Sequence, residues 1–262
     1  MAMSNHPFHL VTLSPWPYLM SLSVFNFLFS SLNFFFCIGS NFIIFFCLIS
    51  LIFVFLQWVR DIIRESMFQG LHTYFVYKFL KFSVILFIIT ELFFFISFFW
   101  SFFHNSVSPS VDIGNIWPPL LISFFDPYDI PLMNSVILIS SGLTASWSHN
   151  GLLIGNYNNL INGLILTIFL GFYFSFIQYI EYFDSLFCMN DGIFGSLFYM
   201  LTGFHGIHVL IGTLLLISSF LRAKFMHFSS IHHFNFEFSL WYWHFVDVVW
   251  LFLYIFVYWF FN

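Results

Sequence analysis

The sequence predicts an all-α integral membrane protein with seven transmembrane helices. Of its 262 residues, 61% are hydrophobic and only 6% are charged. A soluble domain with this much apolar surface would aggregate. Seven stretches approach the roughly 20 apolar residues that a membrane helix requires. Because no long polar segment interrupts the chain, we expect residues 1–262 to form a single transmembrane domain.

The seven predicted spans follow one another through the whole chain. Their approximate limits are 17–38, 41–59, 76–103, 131–149, 158–182, 192–221 and 236–260. A short polar gap at Gly39, Ser40 and Asn41 separates the first two spans. The fourth span is rich in serine and glycine, so its limits are the least defined.

The distribution of charge agrees with seven crossings. All lysines and arginines fall in two places: Arg60, Arg64, Lys78 and Lys81 flank the loop between spans two and three, and Arg222 and Lys224 lie in the loop between spans six and seven. Seven spans place these two loops on one side and the acidic regions, including Glu181, Asp184 and Asp191, on the other. By the positive-inside rule the basic side is a mitochondrial matrix or a bacterial cytoplasm. The N-terminus is then inside and the C-terminus outside.

Ionisable residues in the last span are its most informative feature. The stretch EFSLWYWHFVDVVWLFLY contains Glu237, His244 and Asp247 within an otherwise apolar helix. Glu237 and His244 are seven residues apart and share nearly one helix face, with Asp247 one turn further on. Charged groups inside a membrane are costly, so we expect these side chains to face protein rather than lipid.

The two basic clusters suggest a binding site for lipid headgroups. Arg60 and Arg64 are one turn apart, next to acidic neighbours. One interpretation is a solvated helix end with internal ion pairs. The other is a phosphate clamp formed with Trp58 and His72 at headgroup level. The second basic cluster, on the same side, comprises Arg222, Lys224, His227, His232 and His233.

Other isolated polar residues leave alternatives open. Glu91 lies alone in a long apolar run and is either a structural carboxyl bonded to a neighbouring helix or a proton-handling group. His205 and His208 share a face with nearby glycines, which favours helix packing with cross-helix hydrogen bonds over metal binding. His149 is expected to end the fourth helix at the interface, and His6 and His9 precede the first span.

Several classes of function are not supported by the sequence. The net charge of −5 is too small and dispersed to indicate a nucleic-acid partner. Nucleophile elbows, phosphate loops and CxxC or CxxCH motifs do not occur. Histidines matched for axial haem ligation are also missing. We therefore predict no catalytic residue, no metal site and no cofactor bound by the chain itself.

A series of motifs resembles the cytochrome c oxidase subunit III family almost from end to end. The first are HPFHLV (6–11), WVRDIIRES (58–66) and DPYDIPLMN (126–134). They continue with TGFHGIHVLIG (202–212), HHFNFE (232–237) and WYWHFVDVVWLFLY (241–254). Each short motif could arise by chance, but their order and spacing could not. The chain departs from the family pattern at Val59, Asn150 and Ile154, which puts any histidine pair after span four in doubt.

The resemblance implies a specific architecture and function. Spans one and two are expected to be separated from the other five by a V-shaped cleft that holds phospholipid, a two-plus-five bundle. Residues at the family's lipid positions would be Trp58, Arg64, His72, Glu91, Arg222, Lys224, His227 and His232. A structural polar core would comprise His205, His208, Glu237, His244 and Asp247. His6 and His9 resemble surface histidines near a proton entrance.

The same resemblance predicts the setting in which the chain works. It would be a non-catalytic core subunit of respiratory complex IV that stabilises the catalytic subunit I, binds phospholipid and sustains proton uptake. Haem a and copper would belong to partner subunits, with structural phospholipids as the only bound groups of this chain. The mitochondrial inner membrane is the expected location, with a bacterial plasma membrane as the alternative.

The residues also suggest two other functions. The abundant histidines suggest a membrane di-iron desaturase or hydroxylase, but the HxxxH and HxxHH boxes of such enzymes do not form. Buried Glu91 and Asp247 suggest a transporter, which would need a water-filled path through this chain rather than lipid in a cleft.

Overall fold

The computed structural model describes residues 8–9, 13–36, 41–120 and 122–260, and in these residues no strand occurs. Seven of the described helices are long and apolar enough to cross a membrane. They are α1 Trp16–Phe35, α2 Asn41–Met67, α3 Tyr74–Val107, α4 Ile130–Ile154, α5 Tyr157–Asp184, α6 Gly192–Lys224 and α7 Phe234–Leu253. A 3-10 turn at Val111–Ile113 and a π-helical turn at Tyr254–Trp259 complete the helical elements. The prediction of an all-α membrane protein with seven spanning helices is confirmed.

The chain divides into two compact units, Met1–Leu80 and Lys81–Asn262. In the first unit α1 packs against α2. In the second, α4 packs on α5, α5 on α6, and α7 on both α4 and α6. The second unit contains the buried aromatic core of the protein. Its largest fully buried side chains include Trp243, Trp250, Tyr242, Tyr258, Phe95, Phe102, Phe174 and Phe194.

Several helices extend beyond the predicted apolar spans. Helix α2 continues from residue 59 to Met67 through the charged segment, and the chain turns at Gly70 with a φ of +64°. Helix α4 begins with Pro131 in its first turn and continues to Ile154. Gly155, with a φ of +82°, then ends α4 in the left-handed conformation that glycine adopts without strain. Polar residues near the bilayer surface therefore extend these helices rather than ending them.

The serine- and glycine-rich fourth span is a continuous helix. Its hydroxyl groups donate to carbonyls of the preceding turn, as Ser141 does to Leu138 over 2.7 Å. Thr144 and Thr167 join α4 to α5 through a 2.9 Å hydrogen bond. A Cβ at Gly163 would lie 2.6 Å from the Cβ of Ser148, so the two backbones approach closely. Small residues thus supply the contact between α4 and α5 that apolar side chains supply in water-soluble bundles.

Trp243 fills a slot that two glycines create between α5, α6 and α7. A Cβ at Gly171 would lie 2.7 Å from Cη2 of Trp243, and a Cβ at Gly212 would lie 2.8 Å from its Cε3. The indole is fully buried, and its Nε1 donates to Ser141 Oγ over 2.9 Å. The slot therefore fixes the packing of three helices against α4.

The close approach predicted at the glycines beside His205 and His208 is wrong. No atom lies within 4 Å of the position that a Cβ at Gly203 or Gly206 would occupy. The tight contacts of α6 are instead at Gly212 and, through Cys188, at Gly195. A glycine pair in a helical sequence shows where a neighbour could approach, but the neighbouring side chain decides where it does.

Candidate functional site

The first basic cluster contains one neutralised and one exposed arginine. Arg60 forms a 3.0 Å ion pair with Asp61, which also accepts a 2.6 Å hydrogen bond from Trp16 Nε1. Arg64 is exposed, and no carboxylate of the described residues lies within 4.0 Å of it. The internal ion pair expected for a solvated helix end is therefore formed by Arg60. Arg64 keeps its guanidinium available at the end of α2, as a phosphate ligand requires.

Two histidines meet elsewhere in the same unit. The rings of His9 and His72 lie edge to face with centroids 5.9 Å apart. Trp58 is half-buried on α2. His6, the other predicted proton-entrance histidine, lies outside the described residues.

The second basic cluster brings Arg222 and His227 together at the end of α6, and we call these two residues with Phe228 the cationic cluster. The Arg222 guanidinium lies over the Phe228 ring, with Cζ 4.9 Å from the ring centroid. Arg222 Nε and His227 Nδ1 are buried, and neither has a hydrogen-bond partner among the described residues. Lys224 and His232 are exposed nearby in sequence. Arg222 Nε is a buried donor without an acceptor, which implies an anionic ligand or water at this position.

Glu91 does not stand alone. Its Oε2 lies 3.0 Å from Nε2 of His208, which joins α3 to α6. His208 Nδ1 lies 2.7 Å from the Phe204 carbonyl, an acceptor only, so Nδ1 carries a proton. The contact between His208 and Glu91 therefore needs one more proton, carried by either the imidazole or the carboxyl. The structure thus gives Glu91 the cross-helix partner that its isolation in the sequence concealed.

His205 is enclosed in the aromatic core. It is 1% exposed, and its Nε2 donates to the Val246 carbonyl over 3.2 Å. Its ring packs against Trp250, with centroids 5.2 Å apart, and against Phe174. The hydrogen bond to the α7 backbone connects α6 to α7 at a depth where no water can replace it.

Glu237 and His244 share a helix face in the sequence but belong to separate polar contacts. Glu237 Oε2 lies 2.6 Å from Lys81 Nζ, and its Oε1 lies 3.3 Å from Nε2 of His233. His149 joins this group, with its ring centroid 5.8 Å from that of His233. The expectation that His149 ends the fourth helix is wrong, because α4 continues to Ile154 and His149 lies five residues before its end, beside His233. We call His149, His233 and Glu237 the His–His–Glu cluster.

His244 pairs with Asp247 near the middle of α7. Nδ1 of His244 lies 3.6 Å from Asp247 Oδ2, and the His244 side chain is 44% exposed. Asp247 Oδ1 is buried without a hydrogen-bond partner. A Cβ at Gly142 would lie 2.9 Å from Asp247 Oδ2, so glycine makes room for this carboxylate on α4. The result is a polar pair on a surface otherwise suited to lipid.

One buried carboxyl was assigned to the acidic outer loops and is instead in the core. Glu181 lies on α5 with no exposed surface, and Tyr258 donates to its Oε1 over 2.6 Å. The π-helical turn after α7 carries Tyr258 into this position. Asn134 and Gln178 form a 3.2 Å hydrogen bond close by. The predicted fifth span, 158–182, included Glu181 at its end, but the acidic neighbours Asp184 and Asp191 suggested the loop instead.

The predicted lipid-binding residues are distributed over both units. Trp58, Arg64 and His72 belong to the first unit, and the remaining five belong to the second. Within the second unit, Arg222 and His227 belong to the cationic cluster beside Phe228, whereas Glu91 pairs with His208. The polar core residues form the contacts described above rather than one network.

Comparison with known proteins is consistent along the whole chain. The family model described as Cytochrome c oxidase subunit III matches residues 6–262. A protein named Cytochrome c oxidase subunit 3 from Rhipicephalus sanguineus is 51% identical over 98% of this chain and 100% of its own length. Proteins of the same name from Anopheles gambiae (49%, covering 98% of this chain and 97% of that protein) and Equus caballus (47%, 99% of each) are similar.

Proposed function

Because the chain belongs to the cytochrome c oxidase subunit III family, we propose that it supports the oxidase by holding phospholipid and by sustaining proton uptake. The chain is a non-catalytic subunit of cytochrome c oxidase, respiratory complex IV, which transfers electrons from cytochrome c to oxygen. The observation that carries the lipid proposal is the cationic cluster at the end of α6. Arg222 Nε and His227 Nδ1 are buried there without a hydrogen-bond partner among the described residues.

The side chains of the cationic cluster are suited to binding a phosphate headgroup. Arginine binds phosphate through paired charge-assisted hydrogen bonds, and here its back face is covered by Phe228. In the described residues, no carboxylate lies within 4.0 Å of Arg222, so its charge is not neutralised internally. Helix α6 also exposes apolar residues before the cationic cluster, including Leu214 and Leu221, and this surface suits acyl chains.

We propose that the first unit also binds a lipid headgroup. Arg64 offers a guanidinium free of the ion pair that occupies Arg60, and Trp58 and His72 are suited to headgroup depth. In the second unit, Glu91, Lys224 and His232 would be further lipid contacts.

We expect Arg222→Gln to remove a tightly bound anionic phospholipid from the purified oxidase. A hydrogen bond to a charged group contributes about 1.5–3 kcal/mol, so lipid retention should fall at least about tenfold. Native mass spectrometry of the complex measures this directly. Arg60→Gln is the matched control, because Arg60 already pairs with Asp61.

Unchanged lipid content in the Arg222→Gln complex, or an equal loss in Arg60→Gln, would contradict the lipid site. Arg64→Gln tests the first unit in the same way, and we expect it to resemble Arg222→Gln rather than Arg60→Gln.

For the assembly, we place the chain in the mitochondrial inner membrane, with the N-terminus in the matrix and the C-terminus in the intermembrane space. Catalytic subunit I would be its principal partner, and haem a and copper would reside in partner subunits. His9, with His6, would collect protons on the matrix side, because surface imidazoles exchange protons near neutral pH.

The His244 imidazole is 44% exposed, whereas the paired Asp247 side chain is only 13% exposed, and this exposed imidazole supports a contact with the catalytic subunit. A polar side chain facing lipid near the bilayer centre is costly. A transmembrane helix of the partner that offers a hydrogen-bonding group would remove that cost. The exposed apolar residues Leu143, Val248 and Leu251 surround the pair and would complete the contact.

His244→Leu should therefore weaken retention of this chain by the oxidase. We expect a several-fold drop in the ratio of chain to haem a after detergent purification. Ile165→Ala is the control, because Ile165 is an exposed apolar residue of α5 and is not part of this contact, and it should change the ratio little. Full retention of the His244→Leu chain would show that lipid, not the partner, covers this surface.

A further inference from the structure

The His–His–Glu cluster presents three potential metal ligands from separate parts of the chain. His149 is near the end of α4, His233 directly precedes α7, and Glu237 is in its first turn. One ligand atom from each lies within 4.8 Å of the other two. His233 is 4% exposed, and the Glu237 side chain is 14% exposed. The group is therefore enclosed by protein rather than assembled on the surface.

A hydrogen bond to the backbone fixes His233 in the tautomer that can bind a metal through Nε2. Nδ1 of His233 lies 3.0 Å from the Ser229 carbonyl oxygen, which can only accept, so Nδ1 carries the proton. In the neutral ring the lone pair is then on Nε2, which faces Glu237. A metal-bound histidine usually donates its other N–H to a backbone carbonyl or carboxylate in this manner.

Two buried nitrogen atoms of the cluster have no hydrogen-bond partner among the described residues. They are Nε2 of His149 and Nε2 of His233. Buried polar atoms are nearly always satisfied, so two such atoms on adjacent rings call for an occupant. Glu237 Oε1 lies 3.3 Å from one of them, and two acceptors at that distance need a cation between them.

Lys81 sets the charge of the site. Its Nζ lies 2.6 Å from Glu237 Oε2, which orients the carboxylate and leaves Oε1 directed toward the imidazoles. Lysine bound to one carboxylate oxygen acts as an outer-shell partner that holds the ligand in place. It also weakens attraction for a cation, so the site should bind a strong imidazole-seeking metal and not Mg²⁺ or Ca²⁺.

We propose that the His–His–Glu cluster binds a divalent transition-metal ion of the Zn²⁺ class. His149 and His233 would ligate through Nε2 and Glu237 through Oε1, with water in the fourth position. Two nitrogens and one carboxylate oxygen at about 2.0–2.2 Å form a familiar zinc ligand set. Small side-chain rotations suffice to close the ligands around the ion. The bound metal would join the end of α4 to the start of α7.

This proposal departs from the sequence-based expectation of no metal site. His149 and Glu237 are far apart in the chain, and neither belongs to a compact histidine motif. Asn150 replaces the second histidine of the pair expected from the family resemblance, so the sequence did not indicate a ligand role for His149.

The test is zinc binding by the purified, chelator-treated oxidase complex, with Zn²⁺ alone as the probe. We expect the wild-type complex to bind one more zinc per complex than the His149→Asn or His233→Gln complexes. His104→Gln is the matched control, because His104 is an exposed histidine at the end of α3 and outside the cluster. Metal held by other subunits cancels in these comparisons.

A second measurement covers the case in which a variant does not assemble. X-ray absorption at the zinc edge, as the difference between zinc-loaded and chelated wild-type complex, should show two imidazole nitrogens and carboxylate or water oxygen. Equal zinc binding by wild type and both cluster variants would overturn the proposal. A difference spectrum without two imidazole ligands would overturn it as well, and would leave a proton as the cation between His233 and Glu237.

Discussion

Replacing His208 with leucine is expected to cause the largest loss of assembled oxidase among the substitutions considered. The change leaves Glu91 without its only charged or imidazole contact in the described residues, in an apolar helix. Removing one partner of a buried pair typically costs about 3–5 kcal/mol because the other is left uncompensated. The Glu91 side chain is 25% exposed, which places the expected effect toward the lower end.

Glu91→Gln should, by contrast, leave assembly almost intact. The contact needs one proton between the two side chains, and the glutamine amide supplies a donor to Nε2 of a neutral His208. Glu91→Leu removes that donor and should cost about 1–3 kcal/mol. Assembly is measured as the ratio of this chain to haem a in membranes and as the denaturation temperature of the purified complex.

A double substitution separates the hydrogen bond from the packing. Glu91→Leu with His208→Leu removes both polar groups, so the combined loss should be smaller than the sum of the two single losses. If Glu91→Gln is as harmful as Glu91→Leu, an amide cannot replace the carboxyl group, and the expectation for Glu91→Gln is wrong.

The second large effect is expected at the tryptophan slot. Gly171→Ala and Gly212→Ala each place a methyl group less than 3.0 Å from the buried Trp243 ring. The ring cannot move without breaking its hydrogen bond to Ser141 or displacing a neighbouring helix. Overpacking of this kind costs about 1–3 kcal/mol.

Two other glycines of α6 provide the control for this prediction. Gly203→Ala and Gly206→Ala place the same methyl group where no atom lies within 4 Å, and alanine favours the helix. We expect a lower denaturation temperature for the Gly171 and Gly212 variants and no loss for the Gly203 and Gly206 variants. Equal effects at all four positions would show that helix propensity, not the Trp243 slot, determines the result.

The helices were predictable because apolar length is a property of the sequence itself. Each predicted span overlaps one observed helix, and the largest differences are at helix ends, where charged residues such as those of α2 continue the helix into the headgroup region. The seven-helix membrane fold therefore needed no tertiary information. The two-plus-five arrangement remains a prediction.

The partners of polar side chains were much less predictable. The sequence places Glu237 and His244 on one helix face. In the structure, however, Glu237 contacts Lys81 and His233, whereas His244 contacts Asp247. Glu91 and Glu181 find His208 and Tyr258 more than 70 residues away in the chain. Such pairings depend on how the helices pack, which periodicity within one helix does not encode.

The most direct test of the account is purification of the oxidase through this chain, followed by a visible spectrum and metal analysis. The account predicts haem a and copper in the co-purified complex and neither in the chain once isolated from it. Iron that stays with the isolated chain without haem, or purification without haem a, would contradict a supporting role in the oxidase and restore the di-iron enzyme as the alternative.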